Sequence, residues 1–514
     1  MRILTSEQIR NCDSYTISQG ITSYALMEKA GELCTAEILR TLGNPKPGSV
    51  VFVVFCGPGN NGGDGYVIAR LLAKKGFETE IVHVGGASLT EDCRLNRDKC
   101  IKEGLSFSEI NDCGIFDLPV CIIDSIFGSG INRPVENDYL KAVRRINTMK
   151  KAYVISVDMP SGLYSEHNMP ANAEAVACDT LLKIHAPVLN LMLPQYQCFF
   201  NEIRILDIGL IEPPDLFSVK NFQYFLCSGK LVSGLIRPRP RAAHKGVFGH
   251  AFIVAGGKGK VGAAVLSAKA CLRSGVGLLT VFAPKSAVNI IHSALPEAML
   301  QTSDEDEIIK GKSSIENYSS IGFGPGCGTE KETQSYLKQL IQNSQVPMVI
   351  DADGINILAE NKTWLAFLKP NTILTPHPGE FFRLSGVKEV GINQIERASE
   401  LAQRHSIIIV LKGARTAICL PDSRVFFNPT GNPGMAKGGS GDALTGLITG
   451  LLAQGYKPAD ASIIAVYLHG LAGDIAAQKF TEYAMITSDL ISQIPEAFAM
   501  LHSGFNLTDL QEGV

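Results

Sequence analysis

"VVFVVFCGPGNNGGDGYVIARLLAKKG", residues 50–76, joins an apolar β-branched run to a glycine-rich turn and then to a helical pattern. A strand with no polar face predicts a parallel sheet covered on both sides by helices. The turn satisfies G-x-G-x-x-G through Gly57, Gly59 and Gly62. A dinucleotide dehydrogenase would also place an acid at the end of the next strand, against the ribose hydroxyls. Here that strand, "EIVHVGG", ends apolar, and Glu80 stands at its beginning. The turn instead carries Asn60, Asn61 and Asp64. Side-chain oxygens beside the unused N–H groups of a helix start suit a phosphate and a cation. A tight connection with no ligand is the competing reading.

Working outward, short apolar strands alternate with helical segments along the whole chain. "VVFVVFC", "ETEIVHV", "PVCIIDSIF" and "KAYVISVDM" form one series. "HAFIVAGG", "GLLTVFAP", "SSIGFGPG", "PMVIDADG" and "TILTPHPG" form another, four of the five ending in glycine, two of these with aspartate or histidine shortly before it, where a helix should begin. Ligands of open α/β sheets bind at that edge. A proline-rich, basic stretch around "IRPRPRAAHKG" interrupts the alternation. The expected fold class is therefore α/β in two domains, residues 1–225 and 226–514.

The 514 residues, 45% hydrophobic and 19% charged, are enough for two buried cores. A formal net charge of −3 with scattered Lys and Arg argues against nucleic acid as a partner. Thirteen cysteines without a C-x-x-C pair fit neither a disulfide framework nor a zinc ribbon, and point to a reducing cytoplasm. No apolar run of about 18 residues predicts a membrane span, and the start of the chain is too polar for a signal peptide.

Two further loops aim polar groups at the edge reached by residues 57–64. "IIDSIFGSGINRPV" puts Asp124 at a strand end before a glycine turn, and "VISVDMPSGL" does the same with Asp158 and Ser161. Together "GPGNNGGDG", "DSIFGSGINRPV" and "SVDMPSGL" resemble the NAD(P)HX epimerase domain over roughly residues 1 to 210. The resemblance implies a Rossmann-like three-layer α/β/α domain. In it Asn60, Asn61, Gly62, Gly63 and Asp64, with Gly128, Ser129, Gly130, Ile131, Asn132 and Arg133, would bind hydrated NADH or NADPH. Asn61, Asp124 and Ser161 would hold potassium, and Asp158 would face the substrate. Inverting C6 of the hydrated ring requires an acid–base group, for which Asp158 is the candidate. The chain departs from the family pattern after "HAP", where Val188 replaces an expected lysine. Epimerase-like domains also serve as binding modules, so a non-catalytic first half is the rival reading.

In the second half, "GNPGMAKGGSGDALTGLITG" (431–450) sets Asp442 at the mouth of an apolar helix. The N–H groups of Gly439, Ser440, Gly441 and Asp442 lie in the first turn and form an anion hole. A carboxylate there either stabilises the helix start or serves as the base that phosphoryl transfer needs. No Walker loop is present; the arrangement resembles the ribokinase-like superfamily. His377 and Glu380 in "LTPHPGEFFRL" occupy positions where related vitamin kinases carry asparagine and glutamate, so Glu380 would hold magnesium through water. A hydrogen-bonded loop histidine is the plainer reading of His377. In "IIIVLKGARTAICL", Lys412 at a strand end can meet a nucleotide phosphate, with an exposed charged hairpin as the alternative. "NQIE" (393–396) lies within a helical pattern and is set aside.

"HKGVFGHAFIVAGG", "GAAVLSAKACLRSGVGLLTV", "GPGCG", "DADGINIL", "TPHPGE" and "GNPGMAKGGSGD" resemble, in this order, the ADP- or ATP-dependent NAD(P)H-hydrate dehydratases over about residues 235 to 500. The resemblance implies that Ala263, Gly326, His377 and Asp442 contact the hydrated nucleotide. Lys412, Gly413, Ala414, Arg415, Thr416 and Gly441 would bind ADP or ATP, with ADP favoured, and Asp442 would be the base. Both halves together imply repair of NADHX and NADPHX by a cytoplasmic homo-oligomer that needs K+ and Mg2+. A kinase of a small alcohol or vitamin precursor with a non-catalytic first half remains the alternative.

Overall fold

In the computed structural model, which describes residues 1–502 other than 87, 114–117, 150, 215, 217–222 and 389, the chain divides into units Arg2–Lys220 and Asn221–Val514. The first unit contains β1 (Arg2–Ile3), β2 (Val51–Cys56), β3 (Glu78–His83), β4 (Ser106–Ser108), β5 (Val120–Ser125), β6 (Tyr153–Val157), β7 (Cys178–Ile184) and β8 (Phe200–Leu206). Its helices are α1 (Ser6–Ser18), α2 (Ser23–Thr41), α3 (Asn60–Lys74), α4 (Glu91–Lys102) and α5 (Asn137–Thr148).

Seven of these strands pair in parallel in the order β4-β3-β2-β5-β6-β7-β8. Every residue of β2 is buried, as its unbroken apolar run predicts. Phe52, Val54, Ile81, Ile123 and Ile155 of the sheet share one core with Tyr66, Ile68 and Leu72 of α3. Strand order reverses between β2 and β5, and the loops leaving these two strands meet there. A Cβ on Gly57 would lie 2.0 Å from the Ile126 carbonyl oxygen. Gly57→Ala is therefore expected to cost about 3 kcal/mol of stability in this unit, measured as a lowered urea midpoint.

The second unit contains β9 (Gln223–Leu226), β10 (His250–Val254), β11 (Leu278–Ala283), β12 (Met299–Thr302), β13 (Ser320–Phe323), β14 (Met348–Ile350), β15 (Ile373–Leu374), β16 (Ile408–Leu411), β17 (Ala417–Cys419) and β18 (Arg424–Phe427). Its helices are α6 (Gly229–Leu235), α7 (Val261–Arg273), α8 (Val288–Ala294), α9 (Lys331–Asn343), α10 (Asp353–Glu360), α11 (Pro378–Ser385), α12 (Ile392–His405), α13 (Ser440–Ala453), α14 (Pro458–Ala484) and α15 (Thr487–His502).

The strands run in the order β9-β18-β17-β16-β15-β14-β13-β10-β11-β12. They are parallel from β16 through β12, while β16, β17 and β18 pair antiparallel. Here too the order reverses, between β13 and β10. Helix α13 is buried at every position from Ala443 to Ala453. Leu444, Leu447, Ile448 and Leu451 share a core with Val349, Ile373 and Ile408 of the sheet. Gly446 lets α7 approach so closely that a Cβ would lie 2.0 Å from the Ser267 carbonyl oxygen. The apolar sequence of α13 thus marks a helix enclosed on all sides, which fixes where its N-terminus points.

Candidate functional site

Two loops at the carboxyl edge of the first sheet are tied together by Asp124, which is fully buried near the end of β5. Its carboxylate accepts from Ser156 Oγ at 2.8 Å, Ser161 N–H at 2.9 Å, Ile126 N–H at 3.4 Å, and Ser161 Oγ. Burial still outweighs these bonds and pushes the carboxyl above its ordinary range. Ser161 Oγ in turn accepts from the Phe127 N–H at 2.9 Å.

Asn61, Gly128 and Asp158 converge beside this knot. A Cβ on Gly128 would lie 2.6 Å from Asp158 Oδ2 and 3.5 Å from Asn61 Cβ. Asn61 Oδ1 and Nδ2 are buried without a hydrogen-bond partner among the described residues. Asp158 Oδ2 accepts from the Ser129 N–H at 2.7 Å, and Oδ1 is ion-paired with Lys183 of β7. Asp64 is 9% exposed, and burial, then Asp158 and Asp13, push it well above the usual carboxylate range.

The other expected residues of this half lie differently. Asn60, Gly130, Asn132 and Arg133 are exposed, and Ile131 is half-buried. Gly62 and Gly63 turn inward: a Cβ on Gly63 would meet Met27 Sδ at 2.5 Å. Val188 is fully buried. Sequence reasoning missed Lys183 and Asp13. For Lys183 the signal was a lysine inside an otherwise apolar strand, "LLKI"; for Asp13, on an amphipathic helix, there was none.

In the second unit Asp442 sits in the first turn of α13, behind Gly439 in the left-handed conformation (φ 91°). The helix ladder begins with the Ala443 N–H donating to Gly439 O at 3.0 Å, so the Gly441 and Asp442 N–H groups have no intrahelical acceptor. Asp442 is half-buried. Burial foremost, then Asp351, with Lys412 opposing and Asp353 and Glu380 adding, pushes its carboxyl up to about 6. A base in that range is matched to neutral pH.

Facing α13, Lys412 Nζ donates to Asp351 Oδ1 at 2.8 Å and lies 3.8 Å from Glu380 Oε2. Burial opposes its charge, but Asp351 and Glu380 prevail and hold Lys412 above its ordinary range. Asp351, 1% exposed, also accepts from Thr445 Oγ1 at 2.7 Å. A Cβ on Gly441 would lie 3.1 Å from Lys412 Nζ, so the lysine stands directly beside the open helix end. His469 is buried, and burial brings its imidazole down to about 4; neutral at pH 7, it holds the helix start through Nε2 and the Ser440 carbonyl at 2.9 Å.

His377 caps α11: its Nδ1 accepts from the Gly379 N–H at 3.0 Å, and Glu380 Oε2 accepts the His377 N–H at 2.8 Å. The imidazole remains exposed. Residues 412–416 form the turn between the antiparallel strands β16 and β17. Gly413 and Ala414 are exposed, and Thr416 Oγ1 donates to the Gly413 carbonyl at 3.2 Å. Arg415 turns inward, donating to the Pro429 carbonyl at 3.1 Å, and burial lowers its affinity for the proton. Gly326 and Ala263 are neighbours, since a Cβ on Gly326 would lie 3.2 Å from Ala263 Cβ. Asp351 lay inside the "DADGINIL" stretch but was not singled out; Thr445 and His469 gave no local signal.

Comparison with known proteins covers both halves. Residues 251–496 match the family model of NAD(P)H-hydrate dehydratase, and residues 23–189 match that of the YjeF-related protein N-terminus. A bifunctional NAD(P)H-hydrate repair enzyme of Moorella thermoacetica is 32% identical, over 96% of each chain. One from Thermofilum pendens is also 32% identical, over 98% of each, and one from Escherichia coli is 31% identical over 92% of this chain and 89% of its own. Among solved structures, the ADP/ATP-dependent NAD(P)H-hydrate dehydratase of Bacillus subtilis, co-crystallized with ATP/Mg2+, is 31% identical. It covers 53% of this chain and 97% of its own, with a TM-score of 0.46. Among the described residues, no helix is long and apolar enough to cross a membrane.

Proposed function

The chain belongs to the bifunctional NAD(P)H-hydrate repair enzymes, and from that premise we propose how its two sites divide the work. Residues 1–225 exchange the R and S epimers of NADHX and NADPHX at C6. Residues 226–514 dehydrate the S epimer to NADH or NADPH at the expense of ADP or ATP.

The observation that carries the second activity is Asp442, with a carboxyl near 6 at a helix end whose amides are unclaimed. Asp442 takes the proton from the C6 hydroxyl as that oxygen attacks the terminal phosphoryl group. The Gly441 and Asp442 N–H groups stabilise the charge spread over the phosphoryl oxygens. Lys412, held by Asp351, adds a fixed positive charge beside them. Phosphate then leaves with the push of the ring-nitrogen lone pair, giving a C6=N iminium, and loss of a C5 proton to the departing phosphate forms the C5=C6 bond and restores the dihydropyridine. Glu380 would hold magnesium through water; magnesium bound with the nucleotide would supply charge neutralisation. The exposed His377 and the adjoining Ala263 and Gly326 are assigned to the hydrated nucleotide.

In the first half, Asn61 Oδ1, buried without a partner among the described residues, fits an oxygen ligand of potassium, with Ser161 and Asp124 as its companions. Potassium there would orient substrate oxygens. Asp158 faces the substrate and serves the acid–base step.

The dehydratase pH profile follows from Asp442. The reactive form is the carboxylate, so the rate should fall about tenfold per pH unit below about 6 and level off above 7. The test of the whole reading is incubation of the purified protein with mixed hydrates, K+, Mg2+ and either ADP or ATP, following dihydropyridine absorbance. Regenerated NAD(P)H with stoichiometric free phosphate supports it. A stable phosphorylated product in place of NAD(P)H would identify a kinase and overturn it.

A further inference from the structure

We propose that Lys183 is a positioning residue of the first-unit site, fixing the Asp158 carboxylate for C6 inversion; this rests on the epimerase reading of residues 1–225. Lys183 lies in β7, "CDTLLKI", and its side chain is 0% exposed. An ammonium stripped of water within a sheet is strongly disfavoured without a partner. Its partner is Asp158 Oδ1.

The same strand also holds the backbone of Asp158. The Asp158 N–H donates to Leu182 O at 2.8 Å, and the Met159 N–H donates to Val157 O at 2.8 Å, closing a γ-turn with Asp158 at φ 65°. A non-glycine residue in that conformation is strained and persists only where its surroundings hold it. With Oδ2 on the Ser129 N–H at 2.7 Å, Asp158 has its backbone, both oxygens and its direction specified. Nothing in this arrangement serves the sheet core, which an apolar residue at 183 would fill at lower cost.

The titratable groups whose charge is coupled to Asp158 come from four elements: Lys183 of β7, in direct contact, and Asp64 of α3, Asp13 of α1 and Cys34 of α2. Burial raises all three acids among them. Asp13 rises to about 6, with Asp158 adding and Lys183 opposing, while Asp64 and the Cys34 thiol rise well above their ordinary ranges. Lys183 therefore acts on two of the carboxyls, Asp13 and Asp158, and direct contact gives it to Asp158. Asp64, whose carboxylate accepts no hydrogen bond among the described residues, is disfavoured in its charged form by burial and then by Asp158 and Asp13. Inversion breaks the C6–O bond as the ring-nitrogen lone pair forms C=N and the departing hydroxide takes a proton from the cluster. Water then forms the new C6–O bond on the opposite face and returns one proton, so the cluster ends as it began.

The experiment uses the full chain and purified R hydrate without nucleotide, following epimer exchange by chromatography above the buffer rate. Lys183→Ala should lower kcat about a hundredfold with KM changed less than about threefold, as expected for a misplaced catalytic group. Propylammonium should restore kcat saturably, and 1-propanol should not. Lys183→Gln keeps an N–H donor without the charge; if Lys183→Ala fails to fold, a folded Lys183→Gln with kcat at least about tenfold down gives the same support. Wild-type kcat in a folded variant overturns the proposal. So does a loss that the amine does not relieve and Lys183→Gln does not share, which would leave Lys183 a folding role only. A wild-type chain that does not exchange epimers overturns the epimerase reading itself, and this proposal with it.

Discussion

Asp442→Ala is expected to lower the dehydratase kcat by about a thousandfold or more, close to 4 kcal/mol of transition-state stabilisation, with little change in nucleotide affinity. Two features of the site set that size. The carboxyl is raised to about 6, so at neutral pH it is ionised yet basic enough to accept a proton. It also makes no hydrogen bond to a side chain among the described residues, whereas Asp351 nearby is fully engaged with Lys412 and Thr445. Asp351 therefore cannot take over without breaking an ion pair. Because the N–H groups of the helix start belong to the backbone, the alanine variant keeps the anion hole and should still bind nucleotide. Single-turnover kinetics with calorimetric nucleotide titration check both halves of the claim, and unchanged dehydration would remove Asp442 from the mechanism.

Asp158→Asn should slow epimer exchange by about a hundredfold or more while leaving dehydration of the S epimer untouched. Asparagine is the informative replacement because it tolerates the positive φ of residue 158 and retains an oxygen for the Ser129 N–H. Only the charge and the exchangeable proton are lost. Lys183 is then left with an amide instead of a carboxylate, so a lowered unfolding midpoint should accompany the kinetic change. Given mixed hydrates, K+, Mg2+ and nucleotide, this variant should consume the S epimer and then proceed only at the spontaneous exchange rate. Complete consumption at the wild-type rate would show that Asp158 is not the acid–base group.

The outcomes at His377, Lys412 and Lys183 mark how far local sequence reaches. The three-residue spacing of His377 and Glu380 was legible, but that spacing also makes a helix cap, and the structure uses it as one. Lys412 was placed correctly at a strand end, yet its charge is turned towards Asp351, 61 residues earlier in the chain. The hairpin reading of residues 412–416 describes the backbone, while Arg415 folds inward. The strands β17 and β18 carried too little periodicity, at three and four residues, to be placed before their antiparallel pairing was seen.

The sequence by itself determined the alternation of strands and helices, the glycine turns at the strand ends, and the two aspartates set in those turns. These features depend on periodicity and on which residues a tight turn accepts, both local in the chain. Only the tertiary structure decided which charges meet: Lys183 with Asp158 across 25 residues, Lys412 with Asp351, Asp13 with both partners of the first pair, and Asp64 with Asp158 and Asp13. Such pairs are set by strand order and helix packing, and the free energy that makes a carboxyl basic arises when folding removes water from it and brings another charge alongside.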